Sequence, residues 1–105
     1  MAVKTVEDSE FLDLIFSEEK MVVKYHADWC GGCRLFAPKF QRMSGEDRFS
    51  KVTFLSVNSE ENMIARKMGE VKALPTVAIF KDGDLVESIS TTNEEEVANL
   101  IQKLG

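Results

Sequence analysis

Cysteine, histidine and proline are all scarce in this chain of 105 residues, which holds two cysteines, one histidine and two prolines. Two cysteines cannot build the multi-bridge framework of a small secreted scaffold. A tetrahedral zinc site around Cys30 and Cys33 would need two further Cys or His ligands, and His26 is the only histidine, so no zinc is expected; exchange between two thiols requires no metal or organic cofactor. Positive charge is also short: 13 Lys and Arg stand against 18 Asp and Glu, for a formal net charge of -5. That balance argues against nucleic acid or an anionic membrane surface as a main partner, because both demand basic patches. No apolar run approaches the ~20 residues of a membrane span. No secretory segment precedes the first elements, so a reducing, cytoplasmic setting is expected, in which a purely structural disulfide would stay open.

What is present is an ordinary globular composition, 44% hydrophobic and 30% charged, without repeats, low-complexity tracts or linkers. A chain of this size buries roughly 65% of its unfolded surface, enough for one core. The expectation is one domain, residues 1–105, acting as a monomer.

The stretch Tyr25-His26-Ala27-Asp28-Trp29-Cys30-Gly31-Gly32-Cys33-Arg34 organises the rest. Met21 to Ala27 is mostly apolar and β-branched or aromatic, as a central strand covered on both faces should be, with Lys24 as the exception. A helix from Arg34 onward carries Phe36, Phe40 and Met43 on one face and Pro38 in its interior, where a kink is expected. Cys30 then lies at a helix N-terminus, where unsatisfied N–H groups and the helix dipole favour a thiolate. Cys33, one turn deeper, is the less exposed of the two and is placed to attack a mixed disulfide on Cys30.

Around this centre, 2–6 reads as a short strand, and Asp8 or Ser9 caps a helix through Phe16 with Phe11, Leu12, Ile15 and Phe16 on its apolar face. Lys51 to Val57 is a second buried strand, and Asn58 or Ser59 opens a short helix in which Ile64 and Met68 share a face. Thr76 to Phe80 and Leu85 to Ile89 are antiparallel strands around the Asp82-Gly83 hairpin signal. Asn93 with Glu96 starts a last helix lined by Val97, Leu100, Ile101 and Leu104. The mixed order of strands and helices predicts an α/β fold, a three-layer α/β/α sandwich with a mixed central sheet.

The run Trp29-Cys30-Gly31-Gly32-Cys33, Arg34 directly after it and Pro38 five positions beyond the second cysteine resemble the thioredoxin family. Leu74-Pro75-Thr76 resembles that family's active-site cis-proline, and Phe80-Lys81-Asp82-Gly83 its turn between two late strands. The likeness runs from about Val6 to Leu104. It implies the thioredoxin strand order, a cis peptide before Pro75, and a substrate surface that includes Trp29, Gly31, Gly32, Leu74 and Thr91. Three positions depart from the pattern. Gly32 stands where the family has proline. Lys24 stands where the family's buried carboxylate assists the resolving cysteine, and Ser56 where that carboxylate has its lysine. Thr91 replaces a glycine of the docking surface, which narrows the partner range. Lys24 either turns its ammonium toward the sulfurs and tunes the redox pair, or snorkels away and only packs.

The resulting expectation is a thiol–disulfide oxidoreductase that reduces disulfide-bearing partner proteins through Cys30 and Cys33, with a reductase or a glutathione system as electron source. Two alternatives stand beside it. One is a disulfide-exchange oxidant or isomerase using the same cysteines; the other is a redox-dependent binding subunit without turnover.

Overall fold

The computed structural model describes residues 3–105; the first strand expected at 2–6 therefore begins outside the described residues, at Ala2. Along the chain run β1 (Val3–Thr5), α1 (Asp8–Ser17), β2 (Lys20–His26), α2 (Gly31–Ser44), a 3-10 turn at Asp47–Phe49, β3 (Thr53–Asn58), α3 (Met63–Met68), β4 (Thr76–Lys81), β5 (Asp84–Ser90) and α4 (Glu94–Gln102). The strands form one sheet in the order β1-β3-β2-β4-β5. β3 pairs in parallel with β1 and β2, and β4 pairs antiparallel with β2 and β5. β2 is central, with Lys24 registered against Ser56 on one side and Val77 on the other.

Because side chains alternate along a strand, β2 feeds two cores. Met21, Val23 and Tyr25 pack with Phe11, Ile15, Leu55, Val57 and Ala65 beneath α1 and α3. Val22 packs with Phe36, Phe40, Val77, Val97 and Ile101 beneath α2 and α4. Helices thus cover both faces, and the expected three layers are present. The same alternation turns Lys24 toward the α2 face, with Val22. Asp82 and Gly83 both have positive φ, 52° and 88°, as the two central residues of a tight hairpin turn require.

Several local expectations are corrected. The N-cap of α1 is Glu7, not Asp8 or Ser9. The Asp8 carboxylate instead accepts from the Ile64 and Ala65 N–H groups, at 3.2 and 2.8 Å. Leu14, not Phe16, completes the buried face of α1, and Phe16 is exposed. α3 begins after Asn62 and not at Asn58 or Ser59, which leaves Ile64 exposed and buries Ala65. α2 starts at Gly31 and not at Arg34, and runs through Ser44 with Pro38 inside it. The last helix is capped as expected by Asn93, whose Oδ1 accepts from Glu96 N–H at 2.9 Å. The Glu96 carboxylate, however, accepts from the Thr91 hydroxyl at 2.5 Å.

Candidate redox site

β2 ends at His26, and the chain turns through Ala27, Asp28 and Trp29 before α2 begins. Cys30 is the N-cap of α2, in extended conformation, and its Sγ accepts from the Cys33 N–H at 3.1 Å. An N-cap acceptor takes one of the orphan donors of the first helical turn; here the acceptor is sulfur. The turn is further fixed by Cys30 N–H to the Ala27 carbonyl at 3.2 Å and Arg34 N–H to the Cys30 carbonyl at 3.3 Å. The Arg34 side chain donates back to the Asp28 carbonyl.

Cys30 and Cys33 are joined in a disulfide, with their Cα atoms 5.3 Å apart. In this oxidised form the two residues do not differ in exposure as expected: Cys30 is 5% and Cys33 4% accessible. Both cysteines pack with Ala27 and Leu74.

The Leu74–Pro75 peptide is cis, and Pro75 lies against the cysteine turn. A Cβ at Gly32 would meet Pro75 Cδ at 3.6 Å and Thr92 Cγ2 at 3.5 Å, ordinary contact distances, while one at Gly31 would meet nothing within 4 Å. Neither glycine is therefore demanded by space. Thr92 was not singled out from the sequence, and it reaches this turn directly. The Thr91 hydroxyl is engaged with the start of α4, accepting from Asn93 N–H at 3.0 Å. Trp29 is 65% exposed, and its indole N–H donates to Glu60 at 2.7 Å. Glu60 carries no motif of its own, so it was not legible before the β3–α3 loop was placed beside Trp29.

Beside the turn opens a pocket of about 350 Å³ whose lining includes Lys24, Cys33, Ser56, Thr5 and Ala37. Lys24 is buried, with its Nζ 5.8 Å from the Phe40 ring centroid, within cation–π range. Burial lowers its pKa from the ordinary value of 10.5. His26 is also held below its ordinary 6.5, first by burial and then by the Lys24 charge, with Asp28 opposing. Among the described residues no group of three or more His, Cys, Asp or Glu converges as a metal site. No helix among them is long and apolar enough to cross a membrane.

A dithiol at a strand-to-helix junction, with a cis-proline across from it in a three-layer sandwich, defines the class of thiol–disulfide oxidoreductase domains. The family model described as Thioredoxin matches residues 2–103, and the chain belongs to the thioredoxin family. Thioredoxin of Staphylococcus saprophyticus is 35% identical over 104 residues, 98% of each chain. A peptide-N(4)-(N-acetyl-beta-glucosaminyl)asparagine amidase of Caenorhabditis briggsae is 34% identical over 97 residues, 92% of this chain. The chain spans only 16% of the length of that enzyme. The solved thioredoxin of Plasmodium falciparum superposes with a TM-score of 0.88 at 28% identity, over 98% of this chain and 100% of that one.

Proposed function

We propose that residues 1–105 act as a single monomeric domain that reduces disulfides of partner proteins, with Cys30 as nucleophile and Cys33 as resolving thiol. The observation that carries this reading is the Cys33 N–H directed onto Cys30 Sγ at the start of α2, an arrangement that favours negative charge on that sulfur. In the reduced domain, the Cys30 thiolate attacks one sulfur of the partner disulfide. A Cys30–partner bond forms as the partner's S–S bond breaks, and the departing partner thiolate takes a proton. The Cys33 thiolate then attacks Cys30 Sγ, closes the Cys30–Cys33 bond and releases the second partner thiolate. Two electrons pass to the partner, and the domain is left oxidised. A reductase dithiol or two glutathione molecules restore it.

Pro75 contributes no N–H of its own, so the Leu74 backbone is left for an extended partner segment to pair with. Trp29 and Leu74 supply an apolar contact beside the sulfurs, and the bare Gly31 and Gly32 let a partner backbone approach. The chemistry suits a reducing compartment such as the cytoplasm. Equilibration in glutathione redox buffers, with both cysteines followed by mass, tests the reading: reversible loss of two hydrogens at Cys30 and Cys33 is expected. In the same assay Cys33→Ser accumulates a mixed disulfide on Cys30. A wild-type domain that never cycles, or a Cys33→Ser domain that traps none of the proteins the wild type reduces, overturns it.

A further inference from the structure

We propose that Lys24 is the electrostatic partner of Cys33: its ammonium, held beside the Cys-x-x-Cys turn in a pocket shared with that residue, stabilises the Cys33 thiolate and makes the domain a weaker reductant than the same domain without it. The inference rests on the dithiol reading above and concerns the same site. Lys24 acts through Cys33 and is a positioning residue in that sense.

Three observations converge. Strand alternation sends Lys24 to the α2 face, where it and Cys33 line one pocket. Its sheet partners, Ser56 and Val77, bring no charge. The ion pairs of the described residues do not include Lys24, so among them a residue only 8% accessible has no carboxylate within ion-pair distance. A buried cation without a buried anion is costly, and the buried group on this pocket that can supply one is the Cys33 sulfur. The other titratable or charged groups on the pocket are His26 and Asp28 from β2 and the turn after it, and Arg34 from α2. Asp28 and Arg34 are exposed, so solvent and salt screen them. His26 is biased toward its neutral form.

The disulfide is uncharged and gains nothing from the ammonium. When two glutathione molecules donate two electrons, they become glutathione disulfide and release two protons. One proton stays on the dithiol. The other goes to the Lys24 amine where that is neutral, or to solvent where it is already charged, which leaves one negative charge on the sulfurs beside the ammonium. Reduction is thereby favoured. During turnover the same attraction acts on Cys33 alone, while Cys30 is tied to the partner.

The coupling is reciprocal, so the wild-type protein can report it. The Lys24 side-chain pKa, followed by NMR, is expected to be higher in the reduced than in the oxidised domain. In a Cys30→Ser background, Lys24→Met is expected to raise the Cys33 thiol pKa. With both cysteines present, Lys24→Met is expected to shift the exchange equilibrium with glutathione about tenfold toward the protein disulfide, equivalent to ~30 mV. That shift should be largest between the Cys33 and Lys24 pKa values and vanish at the acid and alkaline ends, which a change in packing alone would not produce. A Lys24 pKa equal in both redox states overturns the inference, and decides it alone if Lys24→Met does not fold. So does an unchanged glutathione equilibrium in a folded Lys24→Met domain. Failure of the wild-type domain to cycle at all is a different result, which removes the dithiol reading beneath it.

Discussion

Gly69 lies directly against the ring of Tyr25: a Cβ at that glycine would stand 2.5 Å from the Tyr25 hydroxyl and 2.6 Å from two of its ring carbons. Tyr25 is fully buried two residues before the turn that leads to the cysteines, and its hydroxyl donates to the Ala65 carbonyl at 2.8 Å. Gly69 has φ of -86°, so its bareness serves packing and not backbone freedom. Gly69→Ala should destabilise the domain by about 1–3 kcal/mol, the usual cost of overpacking, read from urea unfolding. Tyr25→Phe on its own should cost about 1 kcal/mol for the lost hydrogen bond. Combined with Gly69→Ala it should restore only part of the loss, because ring carbons as well as the hydroxyl crowd the site.

Asp8 belongs to α1 and caps α3. Its carboxylate accepts from Ala65 and Ile64, while its own N–H donates to Asn62 Oδ1 at 2.8 Å. α3 is only six residues long and lacks a side-chain cap from its own N-cap residue, so this borrowed acceptor carries the end of the helix. Asp8→Ala should cost about 1 kcal/mol, the usual loss of an N-cap acceptor, and should speed amide exchange at Ile64 and Ala65. Exchange unchanged at those two amides would show that α3 does not depend on Asp8.

These two contacts mark the limit of what the sequence revealed. The central strand, the cysteine turn, the hairpin at Asp82-Gly83 and the apolar face of α4 were legible because each is written in a local pattern. The borrowed cap was not: Asp8 satisfies the rule for capping the helix it begins, and only tertiary structure brings Asn62 and Ala65 to it across more than fifty residues. Phe16 misled for a related reason, since a broad helical stripe does not say where the sheet surface ends. At the site, Lys24 was legible as an anomaly on an apolar strand, and its direction followed once Val22 was placed. Glu60 and Thr92 could not be found from any motif, because loops bring them to Trp29 and Gly32.

The lowered pKa values of Lys24 and His26 have a consequence for stability. Each group gives up its proton more readily in the folded than in the unfolded chain, so stability rises with pH across the interval between the two values. For Lys24 that interval ends at 10.5, and below its folded pKa the full cost of the buried ammonium is carried. Lys24→Met should therefore be more stable than wild type at neutral pH, by about 1 kcal/mol or more. The advantage should disappear as pH is raised through the folded pKa toward 10.5. For His26 stability is lost as pH falls from 6.5 through the folded pKa, and His26→Gln should flatten the profile there. Urea midpoints across a pH series, all on the oxidised domain, check both signs. Midpoints of wild type and Lys24→Met that run parallel throughout would remove the buried charge as the cause.

Selective modification of the reduced domain tests the division of labour between the cysteines. Their accessibilities in the disulfide form, 5% and 4%, do not separate them, so the test turns on the local field, in which the α2 N-terminus acts directly on Cys30 and the Lys24 ammonium acts across the shared pocket on Cys33. Cys30 Sγ receives the Cys33 N–H and sits where the α2 dipole is positive. Cys33 lies inside the first turn, and the Ala27–Leu74 contact is common to both cysteines. Under brief iodoacetamide treatment at neutral pH, Cys30 should be alkylated roughly tenfold faster or more. Peptide mass mapping after partial reaction reads the ratio. Equal labelling, or Cys33 labelled first, would reverse the assignment of nucleophile and resolver. Arg34→Ala offers a control: it removes a nearby positive charge and the side-chain bond to the Asp28 carbonyl but no atom of the Cys33 N–H to Cys30 Sγ contact, so the preference for Cys30 should survive with at most a small loss of rate.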